Sequence, residues 1–460
     1  MSNKTKYFGT DGFRGKVNSD LTATHAFKIG RFLGWYYKSL NSSEYRPRIA
    51  IGKDTRRSSY MLEYAIASGI TSSGADAYML HVTTTPSVSY VVKQDDFDCG
   101  IMITASHNPF FDNGIKVINS YGEKMDDEVI LLIEAYLDGD YDKLNVKMDI
   151  PLALGDEIGR IIDYVAGRNR YVGYLISLAS HSYRGLKIGL DCANGASWMI
   201  AKSVFDALGA QTYLIGASPN GININENCGS TNIKSLSDLV KEKSLDVGFA
   251  FDGDADRCIA VDECGNIVDG DKIIYILAKS LKDKQMLTGN TVVATVMSNM
   301  ALIKALNNDS INCVTTAVGD RFVYSAMQEG DYQLGGEQSG HIIIRKYATT
   351  GDALLTAIML TEEMKERKCK FSKLCDTLSL NPQINKNYSV ADKNRVIRDN
   401  TLKKQINDIN KYLGNAGRVI LRASGTENLI RVMAEAESYD KCESLINQIE
   451  QSMKERNHLS

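Results

Sequence analysis

Short β-branched runs alternate with longer amphipathic stretches along most of these 460 residues, and the alternation restarts after each of three breaks. That pattern marks βαβ units assembled into largely parallel or mixed sheets. Strands are expected at Arg48–Gly52, Asp98–Thr104, Leu186–Asp191, Asp246–Phe251 and Thr291–Val296, and from Tyr332 up to Gly335. Helices are expected over Arg57–Gly74, Asp126–Leu137, Ile158–Leu178, Ser197–Leu208, Gly270–Lys282, Gly319–Gln328 and Asp352–Lys365. The breaks are the polar, proline-terminated Asp138–Pro151, the point just past Asp256, and the basic stretch Lys365–Lys373. After the third, strands at Gly417–Ala423 and Leu429–Ala436 with helices on either side read as α+β. The expected fold is therefore three similar α/β mixed-sheet domains, residues 1–151, 152–257 and 258–370, then a smaller α+β C-terminal domain, 371–460, around a central cleft. A prior of about 150 residues per domain agrees with that division.

Charge narrows the partners. Lys+Arg 53 against Asp+Glu 56 leaves a formal −3, so no net basic field draws the chain to nucleic acid or to an anionic membrane. Phosphate recognition has to be local. The start MSNKTKYFGTDGFRG lacks an apolar core of the secretory type, and no window approaches the roughly 18 apolar residues of a spanning helix. A cytoplasmic protein is expected. The nine cysteines (99, 192, 228, 258, 264, 313, 369, 375 and 442) form no C-x-x-C pair and no cluster with histidine, a pattern of reduced thiols rather than disulfides or structural zinc.

Ligands of such sheets sit beyond the carboxyl ends of strands, where the unusual segments fall. Asp252-Gly-Asp254-Ala-Asp256-Arg257 follows the apolar run Val247–Phe251. Three carboxylates at alternate extended positions, about 5–6 Å apart, repel by roughly 3 kcal/mol per pair at an effective dielectric near 20, so a cation belongs among them. Hard oxygen ligands without Cys or His favour Mg²⁺ over Mn²⁺ or Ca²⁺. An EF-hand is excluded: Arg257 occupies the glycine position, and a strand rather than a helix precedes the loop. Thr104-Ala-Ser106-His107-Asn108-Pro109, leading to Lys116, places a hydroxyl beside an imidazole at a strand end, an activated or phosphorylated serine or else an ordinary loop. Gly335-Gly-Glu337-Gln338-Ser339-Gly340-His341 offers close backbone approach with planar acceptors and donors suited to sugar hydroxyls, although a hairpin loop has the same composition. Arg422-Ala-Ser424-Gly425-Thr426-Glu427, with Arg431 beyond, makes a phosphate cradle of the nest type and lacks the ending of a Walker loop. Arg14 stands between glycines in Gly9-Thr-Asp11-Gly12-Phe-Arg14-Gly15.

Together these five segments, from Tyr7 to Arg431, resemble the α-D-phosphohexomutase superfamily in kind and in order. KYFGTDGFRG, ASHNPFFDNGIK, GGEQSGH and RASGTENLIRVMAE are most similar to its bacterial branch acting on glucosamine phosphates, and Gln338 stands where the mannose and glucose phosphate mutases more often carry Met. The resemblance implies interconversion of glucosamine 6-phosphate and glucosamine 1-phosphate through a bisphosphate, feeding UDP-N-acetylglucosamine and cell-wall precursors. Ser106 resembles the phosphoserine that donates and re-accepts the group; Asp252, Asp254 and Asp256 would hold one Mg²⁺ per chain together with an oxygen of that phosphoserine. Arg257 would face the group in transfer. Glu337 and Ser339 are similar to the sugar-hydroxyl ligands, and His341 would assist proton transfer. Arg422, Ser424, Gly425, Thr426 and Arg431 would grip the phosphate at rest. Lys116, Arg14 and His107 are all candidates for acid and base. A sugar bisphosphate is the implied activator and a small phosphosugar the implied partner, with no nucleic acid and no membrane; a homodimer is left open. A hinge near Lys365–Lys373 would close the last domain. Two departures are visible: Ala255 replaces a glycine and is expected to hold the backbone to ordinary L-residue conformations, and Asn428 stands where proline is common. A sibling hexose-phosphate mutase, a Mg²⁺-dependent sugar phosphatase and a non-catalytic phosphosugar-binding protein are the competing readings.

Overall fold

The computed structural model describes residues 5–42, 44–374, 376–424 and 428–459. Contacts divide the chain into two compact units, one running up to Met297 and including Ile311–Asp376, the other made of Ser298–Ser310 and everything from Thr377.

The first unit holds three sheets. The first has seven strands in the order Phe8–Gly9, Gly12–Lys16, Asp112–Asn119, Cys99–Ile103, Arg48–Lys53, Asp76–Val82, Ile161–Asp163. Its last four run parallel, while Asp112–Asn119 and the strands beyond it are antiparallel. Cys99–Ile103 is buried at every position, as a central parallel strand covered on both faces must be. The second sheet is ordered Ile267–Val268, Cys258–Asp262, Val247–Phe251, Lys187–Asp191, Gln211–Ile215; the third Asn312–Thr316, Thr291–Thr295, Leu334–Gly336, Ile342–Ile344. Three mixed α/β sheets are thus present as the alternation predicts, and the expected strands form with ends displaced by a residue or two.

The expected breaks shift. Ile158–Leu178 is not one helix: Ile161–Asp163 joins the first sheet beside Asp76–Val82, and only Val165–Ser177 is helical. Arg160 explains the strand, because its backbone N–H and guanidinium all bond to Asp76, holding the segment flat along its neighbour. The first break therefore lies after residue 151. Arg257 likewise divides nothing: Val247–Phe251 and Cys258–Asp262 pair as a hairpin in one sheet. Lys365–Lys373 is firmly part of the first unit, since Met364 and Phe371 are buried, Arg367 pairs with Glu363 and Asp283, and Ser372 bonds to Glu263.

The second unit is an antiparallel sheet, Gln383–Ser389, Leu429–Glu435, Arg418–Ala423, backed by helices Asn400–Leu413 and Tyr439–Glu455. Its first strand, QINKNYS, carries too little apolar alternation to stand out in the sequence. The helix Met300–Asn308 also belongs here, tied by the Met300 N–H to Glu435 at 2.7 Å and by the Asn299 amide to the Asn381 carbonyl at 3.0 Å. Eight cysteines are free thiols; Cys375 lies outside the described residues. No helix among the described residues is long and apolar enough to cross a membrane.

Candidate active site

Ser106 follows the strand Cys99–Ile103 and adopts a left-handed backbone, φ 51°, rare for a residue with a Cβ. The surroundings enforce it. Its N–H donates to Thr104 Oγ1 at 2.9 Å, and its carbonyl accepts from the buried Arg56 guanidinium at 3.1 Å and the Asn225 amide at 2.9 Å. The same two side chains hold the Asn108 carbonyl, so the loop is pinned twice. Arg56 is itself paired with buried Asp54.

The second sheet delivers the carboxylates. Asp252, Asp254 and Asp256 are buried, and one oxygen from each lies within 4.8 Å of the others, closer than extended spacing alone suggests. The compression comes from a turn in which Asp252 Oδ1 accepts the N–H groups of Asp256 and Arg257, both at 3.1 Å. Ala255 sits in that turn at φ 56°, so alanine takes the left-handed conformation here, contrary to expectation. The remaining oxygen of Asp252 accepts the Ser106 hydroxyl. A Cβ on Gly253 would collide with the Ser106 carbonyl, so glycine lets the two loops touch backbone to backbone.

Cations surround this cluster. Lys116 Nζ, from the strand Asp112–Asn119, lies 2.6 Å from Asp254 and 3.0 Å from Asp256. Burial works against its charge, but the two carboxylates outweigh it and hold the ammonium well above the usual lysine range. Burial also disfavours ionised Asp256, yet Lys116, His341 and Arg257 keep its carboxyl well below the usual range. Asp252 goes the other way, raised by burial and by the charges of Asp256 and Asp254. His107 Nδ1 is 3.3 Å from the Ser106 hydroxyl and 3.3 Å from Arg257; burial, Arg257 and Arg14 push its pKa down to about 4. His341 is buried beneath the cluster, taking the Gly351 N–H at 3.1 Å and facing Asp256 at 3.6 Å. Glu337 is half-buried and accepts the Gly319 N–H at 2.9 Å, whereas Ser339 is exposed. Arg14 faces Asp11 at 3.5 Å.

Several participants carry no local motif. Thr85 Oγ1 donates to Asp254, and its N–H bonds to the Asp254 carbonyl. Lys124 bridges Asp11 at 3.5 Å and Asp320 at 2.6 Å, linking the first sheet to the helix Asp320–Glu329. Arg56 and Asn225 belong with them. Thr84, an N-cap, and Pro86 mark the start of the helix Thr85–Gln94 and were the available signal for Thr85; the others gave none.

The donor set fits Mg²⁺ on its own chemistry. Oδ1 of Asp254 and Oδ1 of Asp256 are buried and receive no hydrogen bond, an arrangement costly without a cation. In the C-terminal unit, Arg422 and Arg431 lie directly opposite each other on paired strands. Ser424 is buried, its N–H bonded to the Leu429 carbonyl at 2.8 Å and its carbonyl to Lys393 at 2.7 Å. Gly425 and Thr426 lie outside the described residues.

Four family models match in order: phosphoglucomutase/phosphomannomutase alpha/beta/alpha domain I over residues 5–143, domain II over 169–265, domain III over 269–380 and the C-terminal domain over 386–452. A phosphoglucosamine mutase of Lachnospira eligens is 55% identical, covering 96% of this chain and 97% of its own; that of Lachnoclostridium phytofermentans is 52% identical over 99% of each. Among solved structures, a phosphoglucomutase/phosphomannomutase family protein from Burkholderia thailandensis superposes with TM-score 0.79 at 22% identity over 97% of both chains. Aspergillus fumigatus N-acetylphosphoglucosamine mutase, in complex with GlcNAc-6P and magnesium, gives 0.70 at 17% over 99% and 97%; at such identities these likenesses speak for the fold. With near full-length identity above half, all four domain models in sequence and the Asp252–Arg257 loop set against Ser106, the chain belongs to the phosphoglucosamine mutases of the α-D-phosphohexomutase superfamily.

Proposed function

We propose that the protein interconverts glucosamine 6-phosphate and glucosamine 1-phosphate in the cytoplasm, with a phosphoserine at Ser106 as donor and acceptor and a sugar bisphosphate as intermediate and activator. The observation that carries this is the Ser106 hydroxyl bonded into a buried three-carboxylate cluster in which two oxygens receive no hydrogen bond. A hydroxyl whose loop is pinned by Arg56 and Asn225 is held for in-line transfer, where positioning and electrostatics do most of the catalytic work.

In the forward half-reaction the P–O bond to Ser106 Oγ breaks and one to the free sugar hydroxyl forms, the hydroxyl giving up its proton. The reverse half, at the other end of the sugar, restores the phosphoserine. Mg²⁺ held by Asp252, Asp254 and Asp256 would offset negative charge on the phosphoryl oxygens. Arg257 reaches the Ser106–His107 edge of the cluster and would bear on the group in transfer. For the proton, Lys116, Arg14, His107 and His341 stay as candidates. Lys116 is bound to two carboxylates that favour its charged form, so it suits the acid role and acts as a base only after giving up a proton. His341, beneath Asp256, would orient that carboxylate. Glu337 and Ser339 would read sugar hydroxyls, and Arg422, Ser424 and Arg431, together with Gly425 and Thr426, would hold the phosphate at rest.

Purified protein with Mg²⁺, glucosamine 6-phosphate and a trace of glucosamine 1,6-bisphosphate should form glucosamine 1-phosphate by phosphorus NMR, and peptide mapping should place a phosphoryl group on Ser106. No product, with turnover of mannose or glucose phosphates instead, assigns the chain to the sibling mutases. Sustained inorganic phosphate release by Ser106→Ala would make it a phosphatase.

A further inference from the structure

The first unit carries a cavity of about 520 Å³ where the first two sheets and their helices meet. Arg57, Arg168 and His81 line it with the rings of Tyr60 and Trp198 and the turn at Gly221, and no acidic side chain does. Among the described residues neither arginine is in a salt bridge; the Arg168 guanidinium makes one hydrogen bond, to the Val82 carbonyl at 3.5 Å, and feels the charge of Asp163, which lies 3.5 Å from His81. Elsewhere in the unit, arginines such as Arg160, Arg170 and Arg367 are paired. Two guanidiniums without a salt-bridge partner in one concavity therefore suit an anion.

Three further features favour the same occupant. Arg57 opens the helix Arg57–Ser72, Arg168 lies in the first turn of Val165–Ser177, and Trp198 just precedes Ile200–Ala207. None of these helices has a bond from its N-cap side chain or an acidic residue in its first turn, although Asp163 accepts the Val165 N–H at 3.3 Å and the Gly221 carbonyl the Arg57 N–H at 2.9 Å; three positive helix ends thus lie near the cavity. Strand pairing slips between Ile51 and Gly52, and His81 there takes a left-handed φ of 59°, a bulge of the kind that re-aims side chains at sites. The volume is ample for a small organic ligand, and the two aromatic rings supply stacking surfaces that a bare anion would not use.

We propose that this cavity binds a nucleoside phosphate, its base against Trp198 and Tyr60 and its phosphates against Arg57 and Arg168. Calorimetric titration with uridine 5′-diphosphate and adenosine 5′-diphosphate tests it. At least one should bind saturably with Kd below about 1 mM, and Arg57→Gln/Arg168→Gln should weaken binding at least about tenfold while Arg422→Ala leaves it unchanged. The protein has two tryptophans, so Trp35→Phe isolates Trp198, whose fluorescence should be quenched with the same midpoint; this readout decides if the double variant fails to fold. Absence of saturable binding, loss of binding in Arg422→Ala with retention in the double variant, or an unresponsive Trp198 would each overturn the proposal.

Discussion

Ser106 and Arg422 both serve phosphate in this reading and both lie at strand ends, yet their surroundings differ in kind. Ser106 is fully buried, its carbonyl held by two side chains, its hydroxyl by a carboxylate and its loop pressed onto Gly253. Arg422 and Arg431 are half-buried and face one another across an antiparallel pair. The contrast follows from what each phosphate does. Where charge moves between atoms, donors and counter-charges have to be fixed and dry, because reorganisation would add to the barrier. An anion that only rests needs accessible cations, and dryness adds nothing.

The comparison can be broken by substitution. Ser106→Ala removes the group that forms the bond, so kcat should fall at least about a thousandfold while sugar phosphate still binds in calorimetry. Retention of turnover would abolish the distinction between the two sites. Asp254→Asn leaves Thr85 a partner but gives Lys116 a weaker one and the cluster one less charge. About a hundredfold loss of kcat and a raised Mg²⁺ requirement should follow, measured by titrating Mg²⁺ after chelation. Arg431→Ala should behave differently in kind. A charge-assisted contact kept equally in ground and transition states contributes about 1.5–3 kcal/mol of uniform binding, so KM should rise roughly 10–100-fold with kcat near wild type. A drop in kcat instead would mean that the phosphate held there is not at rest.

Much of this was legible beforehand, and the pattern of success has a physical reason. Strands covered on both faces, such as Cys99–Ile103 and Val247–Phe251, are continuous apolar runs, and the ligands that follow them sit at fixed short offsets. Ile161–Asp163 escaped because two of its three residues are exposed and its pairing depends on Arg160 finding Asp76, more than eighty residues away. Asp11, Lys124, Asp320, Arg56 and Asn225 escaped similarly: each comes from a different segment, and only the folded chain brings them together. The left-handed φ of Ser106 and Ala255 opposes local preference, so tertiary contacts alone reveal it.

Two helix caps extend the comparison to pH. Asp352 caps Ala353–Arg367 in the first unit, and burial lifts its pKa to about 6 despite hydrogen bonds from Leu355 and Tyr171. Asp399 caps Asn400–Leu413 in the second unit; burial opposes its charge too, but Arg456 and His458 hold its carboxyl below the usual range. The signs are opposite. Above the unfolded value near 4 the folded Asp352 keeps its proton longer than the unfolded chain, so its contribution to stability falls as pH rises through about 6. Asp399 contributes above that value and loses its contribution as pH falls below it. Asp352→Asn retains a cap and an acceptor for Tyr171, and should stabilise the first unit at pH 8 by about 1–2 kcal/mol with no gain at pH 4. Thermal unfolding at both pH values measures this. Asp399→Asn should destabilise at pH 8, and a gain there would erase the contrast.

The smallest effect probes how the reaction centre tolerates strain. Ala255 holds φ 56° in the turn that gathers the three carboxylates, while the Ala353 N–H donates to its carbonyl at 3.1 Å. A left-handed alanine costs roughly 1 kcal/mol relative to glycine in the folded state, partly offset because glycine has more freedom to lose on folding and because the Ala255 methyl is buried. Ala255→Gly should therefore change stability by less than about 1 kcal/mol and leave kcat within about twofold, since Asp252 Oδ1 still organises the turn through Asp256 and Arg257. Ala255→Val separates conformation from volume: a β-branched residue at this φ has no relaxed state, and the carboxylate cluster would have to open to admit it. Its unfolding midpoint and its Mg²⁺ requirement should then shift together, whereas loss of stability with an unchanged Mg²⁺ requirement would show that the turn and the carboxylates move independently.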